Sequence, residues 1–87
     1  MKILIVEDTT KLAKSLSDHF TLTGHNSDIA STIESASELI TLTHYDIILL
    51  DIMLPDGDGQ SFLIDLRRKR ITVPVIIMTA RSEVSDR

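Results

Sequence analysis

The 87-residue chain has no cysteine and a formal net charge of -4. No Pro/Gly/Ser-rich stretch or charge block divides it, so it has room for one small α/β domain over residues 1–87. The missing cysteines exclude a disulfide framework and thiolate chemistry, and the acidic balance disfavours nucleic acid or an anionic membrane as a direct partner, because both reward clustered Lys and Arg.

Ile3-Leu4-Ile5-Val6 is an unbroken apolar run that stops at Glu7. Continuous rather than alternating apolar character predicts a strand covered on both faces, as in a parallel sheet. Leu12, Leu16 and Phe20 recur every fourth residue with Ala13 alongside, which lays one apolar stripe on a helix over Thr10–Leu22, and Gly24 is its stop. A weaker strand follows over Asn26–Ala30. Ile33, Ala36 with Ser37, and Ile40 repeat the helical spacing over residues 32–42. Ile47-Ile48-Leu49-Leu50 is a third strand, expected to be the most buried, and it ends at Asp51. Phe62, Leu63 and Leu66 mark a third helix over residues 59–69; the basic end of this segment, Arg67-Arg68-Lys69-Arg70, suits a helix C-terminus and reads as a solvated face. Val75–Met78 is a fourth strand that ends at Thr79, and Ser82 stands at the start of a possible fourth helix. The order βαβαβαβ predicts a doubly wound parallel sheet with right-handed crossovers and helices on both faces.

None of these apolar runs approaches the roughly 20 residues that span a bilayer. Glu7 and Asp8 also interrupt the first run too early for a signal-peptide core. A soluble, cytoplasmic protein is expected.

In an open parallel sheet, ligands bind at the carboxyl ends of the strands, where the strand order reverses. The first strand delivers Glu7 and Asp8 to that edge, the third Asp51 and the fourth Thr79. Three carboxylates gathered there repel one another by roughly 4 kcal/mol per pair if about 4 Å apart at an effective dielectric near 20, so a cation belongs among them. Hard oxygen ligands with room for water and a phosphate oxygen suit Mg²⁺ better than zinc, which prefers Cys or His. With a metal bound, one carboxylate can act as nucleophile toward a phosphoryl group. Asp51 is the best candidate, since it ends the third strand and precedes a loop that permits close approach. That loop, Ile52-Met53-Leu54-Pro55-Asp56-Gly57-Asp58-Gly59, holds a Pro and two glycines that shape a tight turn. The third helix then opens with free backbone N–H groups beside the site. Thr79 offers a hydroxyl to a phosphoryl oxygen.

Each of these residues also has a simpler role. A strand-end Asp such as Asp8 or Asp51 is often an N-cap, Thr79 is a simple strand-end hydroxyl, and Asp56 and Asp58 read as turn formers. Capping does not readily explain all of them at this spacing. His19, His25 and His44 show no metal-ligand spacing and read as surface or partly buried residues.

The segments Ile3-Leu4-Ile5-Val6-Glu7-Asp8, Tyr45-Asp46-Ile47-Ile48-Leu49-Leu50-Asp51 with the loop to Gly59, and Pro74-Val75-Ile76-Ile77-Met78-Thr79-Ala80-Arg81 resemble bacterial two-component response-regulator receiver domains. The resemblance runs the length of the chain. It implies a flavodoxin-like fold with strand order 2-1-3-4-5, and phosphorylation of Asp51 by a sensor histidine kinase. It further implies that Asp8, Asp51, the backbone carbonyl of Met53 and, through water, Glu7 hold Mg²⁺, with Thr79 as the switch hydroxyl. Met53 and Arg81 stand where the family tunes the lifetime of the phosphate. Such a domain is not an enzyme beyond self-phosphorylation and self-dephosphorylation. The Leu-Pro-Asp-Gly-Asp-Gly form is typical of regulators with a winged-helix DNA-binding output domain, so transcription control would run through a domain outside this sequence.

A complete receiver continues through a fourth helix, a fifth strand bearing a Lys that pairs with the phosphoryl group, and a fifth helix. This sequence stops at Arg87, and Lys11, Lys14 and Lys69 are not at strand ends. The expectation is therefore a receiver lacking the fifth strand and fifth helix, weakly phosphorylated, and self-associating through its fourth strand or the face beside the first helix. Three other readings compete. One is a pure interaction module, which an acyl-phosphate assay at Asp51 would separate. Another is a metal-dependent phosphatase, which usually has a second acid where Met53 stands. The third is a dinucleotide-binding fold, which needs a glycine-rich loop in place of Glu7-Asp8-Thr9-Thr10.

Overall fold

The apolar run after Met1 forms β1, Lys2–Val6, in which Leu4, Ile5 and Val6 are wholly buried. A strand so enclosed must satisfy its backbone groups on both edges. It does so in parallel with β2, Asn26–Ala30, on one side and with β3, Ile47–Asp51, on the other. A computed structural model describes residues 1–78. Thr79, Arg81 and the helix expected from Ser82 lie outside the described residues. Within them the main sheet is four-stranded, in the order β2-β1-β3-β6, with β6, Val75–Met78, parallel to β3. This is the doubly wound order that the resemblance implied for these four strands.

Side chains alternate across the sheet. Leu4, Val6, Ile48 and Leu50 face Ala36 of helix α2, Ile33–Leu42, and Phe62 and Leu66 of helix α3, Gly59–Arg68. Ile3 and Ile5 face the other way, onto Ala13, Leu16 and Phe20 of helix α1, Thr10–Leu22. The helix periods read from the sequence hold, and the ends differ by one residue where caps decide them. Thr32 is the N-cap of α2, its hydroxyl accepting from the Ser35 N–H. Lys69 is the C-cap of α3. Gly24, at φ 90°, takes the left-handed conformation that follows α1. The basic end of α3 is exposed, as expected, and the Arg67 guanidinium donates to the Ile71 carbonyl at 2.7 Å.

Three expectations need correction. The most buried strand is β1, not β3, whose Ile47 and Leu49 are only half-buried. Helix coverage, not apolar content, decides this: both strands lie inside the sheet, but Ile3 and Ile5 are buried with Ala13 of α1, while Ile47 and Leu49 only partly pack against that cluster. For the same reason β6 is not covered on both faces: Ile76 and Ile77 are 51% and 44% exposed. The loop after Asp51 is more than a tight turn. It forms an antiparallel hairpin of β4, Met53–Leu54, and β5, Gly57–Asp58, with Pro55 and Asp56 at its tip.

Near the amino ends of β1 and β3 a polar cluster ties both strands to the middle of β2. The Tyr45 hydroxyl donates to Asp28 Oδ2 at 2.7 Å, Lys2 Nζ lies 3.4 Å from the same oxygen, and the Lys2 N–H donates to Asp46 Oδ2 at 2.7 Å. No helix among the described residues is long and apolar enough to cross a membrane.

Candidate functional site

The register between β1 and β3 sets the opposite, carboxyl edge of the sheet. Val6 pairs with Leu50, so the next residue on each strand, Glu7 and Asp51, arrives at the same edge. The Glu7 N–H donates to the Ala30 carbonyl at 2.9 Å, which extends the ladder with β2 by one residue and keeps the Glu7 side chain inside. Glu7 is 2% exposed and Asp51 6%, while Asp8 faces solvent. Carboxylate oxygens of Glu7, Asp8 and Asp51 all lie within 4.8 Å of one another. The three acids predicted to converge therefore do.

Burial pushes the Glu7 carboxyl above its ordinary range, and the charge of Asp51 adds to the rise. The Thr9 N–H, which donates to Glu7 Oε2 at 3.0 Å, works in the other direction. The second oxygen, Oε1, is buried without a hydrogen-bond partner among the described residues. An orphaned buried acceptor costs about 1–3 kcal/mol, more when charged. A cation among these three acids would remove both the orphan and the repulsion. The donor set is all oxygen, with one acid open to solvent, which fits a hard, partly hydrated ion such as Mg²⁺. His19 and His44 are exposed, and His25 is half-buried in the turn after α1; none joins the acidic group.

Capping does not account for the acids. The N-cap of α1 is Thr9, and that of α3 is Asp58, whose Oδ1 accepts from the Gln60 N–H at 2.9 Å. Behind Asp51 the chain folds back tightly, and the Gly59 N–H donates to the Ile52 carbonyl at 3.0 Å. A Cβ on Gly59 would stand 2.6 Å from the Asp51 carbonyl oxygen and 2.7 Å from Ile52 Cα, so only glycine lets α3 start this close to Asp51. Met53 follows in β4, paired with Asp58. Sequence reasoning missed the role of Asp56. Its carboxylate accepts from the Ile33 and Glu34 N–H groups at the start of α2. A Pro-Asp-Gly run signals a turn, and nothing in it points to a helix more than 20 residues earlier.

The sequence matches the response regulator receiver domain over residues 3–87. The chain belongs to that family. This receiver domain is 41% identical over 87 residues to the transcriptional regulatory protein BasR of Escherichia coli (strain K12), covering 100% of this chain and 39% of BasR. The transcriptional regulatory protein PmrA of Pectobacterium parmentieri gives the same identity and coverage. The chain thus spans about two fifths of the length of these curated relatives. Among solved structures, the receiver domain of the Francisella response regulator 1452 superposes with a TM-score of 0.87 at 37% identity, over 91% of this chain and 65% of that one. The MaeR response regulator bound to beryllium trifluoride superposes with a TM-score of 0.86 at 38% identity, over 92% of this chain and 67% of that one.

Proposed function

We propose that this receiver domain is a phosphoacceptor in which Asp51 takes a phosphoryl group from the phosphohistidine of a sensor histidine kinase. The observation that supports it is the meeting of Asp51 with Glu7 and Asp8, their oxygens within 4.8 Å, around a buried carboxylate oxygen that has no partner among the described residues. A carboxylate oxygen of Asp51 attacks phosphorus and the new O–P bond makes an acyl phosphate. The P–N bond of the donor breaks, its electron pair stays on the imidazole nitrogen, and that nitrogen takes up a proton. Asp8, Asp51, the backbone carbonyl of Met53 and, through water, Glu7 are the groups that would hold Mg²⁺. When bound, the ion supplies positive charge to the phosphoryl oxygens. Thr79, outside the described residues, is the hydroxyl proposed to donate to one of them.

On this reading the domain is a signalling module, not an enzyme beyond its own phosphorylation and dephosphorylation, and a cytoplasmic location goes with it. Control of transcription through a DNA-binding output domain extends the same proposal, supported by the names of BasR and PmrA. Self-association of the 87-residue chain belongs here too, supported by the exposed Ile76 and Ile77 of β6.

The test is incubation with acetyl phosphate and Mg²⁺, reductive trapping of the acyl phosphate and mass spectrometry. Label is expected on Asp51 alone, and Asp51→Asn should take up none. Label on another residue, or label that survives in Asp51→Asn, refutes the assignment.

A further inference from the structure

Asp56 lies outside the acidic cluster, and the proposed chemistry makes no use of it. Its carboxylate nevertheless reaches across to a different element: one oxygen accepts from the Ile33 N–H at 2.8 Å and the other from the Glu34 N–H at 3.1 Å. These are the first two backbone donors of α2, and the next, on Ser35, is taken by the Thr32 hydroxyl. A helix start leaves four such donors unsatisfied within the helix itself. Here two of them are met by a carboxylate from the β4–β5 hairpin. The Ile33 N–H, followed by that of Glu34, holds the Asp56 carboxyl below its ordinary range.

Apolar contact reinforces the polar one. A Cβ on Gly57 would come within 2.8 Å of Ile33 Cδ1, so the hairpin tip is seated closely against α2. The arms of this hairpin are two residues each, Met53–Leu54 and Gly57–Asp58. An isolated hairpin that short has little stability in water. Its geometry has to be imposed from outside, and charge-assisted bonds to a helix start are a strong way to impose it. At its base, Met53 pairs with Asp58, and Asp58 caps α3.

We propose that Asp56 is a positioning residue, which clamps the hairpin tip to the start of α2 and so fixes the backbone at Met53 for the ion held by the acidic cluster. The proposal rests on the Mg²⁺ reading given above. A ligand-bearing loop already in place spares binding the ordering cost that a loose loop would add.

The experiment measures the Mg²⁺ dissociation constant of the full chain by titration calorimetry for wild type, Asp56→Ala, Asp56→Asn and Thr32→Ala. Thr32→Ala removes the neighbouring bond at the same helix start and leaves the hairpin untouched, so it reports on α2 stability alone. Asp56→Ala should weaken Mg²⁺ binding about tenfold, as loss of outer-shell partners commonly does. Asp56→Asn should weaken it less, because the amide keeps one acceptor oxygen. Thr32→Ala should lower the melting temperature and leave the affinity unchanged. Wild-type affinity in both Asp56 variants overturns the proposal alone. So does an equal loss in Thr32→Ala and Asp56→Ala, which would make Asp56 only a stabiliser of α2. A wild-type chain that binds no Mg²⁺ overturns the metal reading and this proposal with it.

Discussion

Glu7 shows in one side chain how the site trades stability for chemistry. Its carboxyl is raised by burial first and then by Asp51, so the folded state prefers it protonated. Stability linked to Glu7 is therefore greatest below its ordinary, unfolded value and is lost as the pH rises through the folded one. At neutral pH the ionised group opposes folding unless something positive faces it. An ion that binds the folded chain but not the unfolded one restores the loss by mass action. At about 100 times its dissociation constant the gain is about 2.7 kcal/mol, a rise in melting temperature on the order of 10 °C for a domain this small. Millimolar Mg²⁺ should thus raise the melting temperature, and Asp8→Asn should remove most of the rise. Equal melting curves with and without the ion, followed by circular dichroism, would count against the cation site. Across the loop, Asp56 has the opposite sign, since its carboxyl is lowered by the Ile33 and Glu34 N–H groups. Its contribution is present above its ordinary value and fades as the pH falls through the lowered one.

Among the elements, one buried phenol just before β3 bonds Asp28 of β2, which also pairs with Lys2 of β1. Tyr45 is 3% exposed, and burial, then the bond to Asp28, pushes its hydroxyl up to about 12. The neutral form is the one the fold favours, so this contribution is whole below the unfolded value of about 10. It is lost as the pH climbs toward 12. Tyr45 is the only tyrosine, so phenolate absorbance reads it directly. Ionisation should be delayed well past that of free tyrosine and should coincide with unfolding; a midpoint near 10 in an intact fold would contradict the assigned contacts. Most of the scaffold was legible because β1, β3 and β6 are runs of apolar residues stopped by a polar one, and each helix is an apolar stripe at a spacing of three or four. Glu7, Asp8 and Asp51 were legible for the same reason, as the residues that stop such runs. The relative burial of β1 and β3 was not, because Ile3-Leu4-Ile5-Val6 and Ile47-Ile48-Leu49-Leu50 are equally apolar and only the reach of α1 over each separates them. Nor was the hairpin, since two-residue strands carry no periodicity, and Asp56 finds its partners only once α2 and the loop have met in space.

For the molecule as a whole, β6 is the outermost strand of the described sheet beside β3, and β2 that on the other side. Unpaired strand edges recruit further strands, and β6 adds Ile76 and Ile77, both substantially exposed. The 87-residue chain should therefore run as a dimer or larger species in size-exclusion chromatography with light scattering at micromolar concentration. A monomer that unfolds cooperatively would contradict this. The strand order also bears on how the chain is made. β1 is made before β3, and its ladder to β3 begins with Ile3 against Ile47. At roughly 5–20 residues per second, the nascent chain carries that unpaired apolar run for about two to nine seconds before its second partner exists. During that interval the run is open to chaperones and to neighbouring nascent chains, so the yield of folded protein should depend on the pace of translation as well as on the stability of the finished sheet.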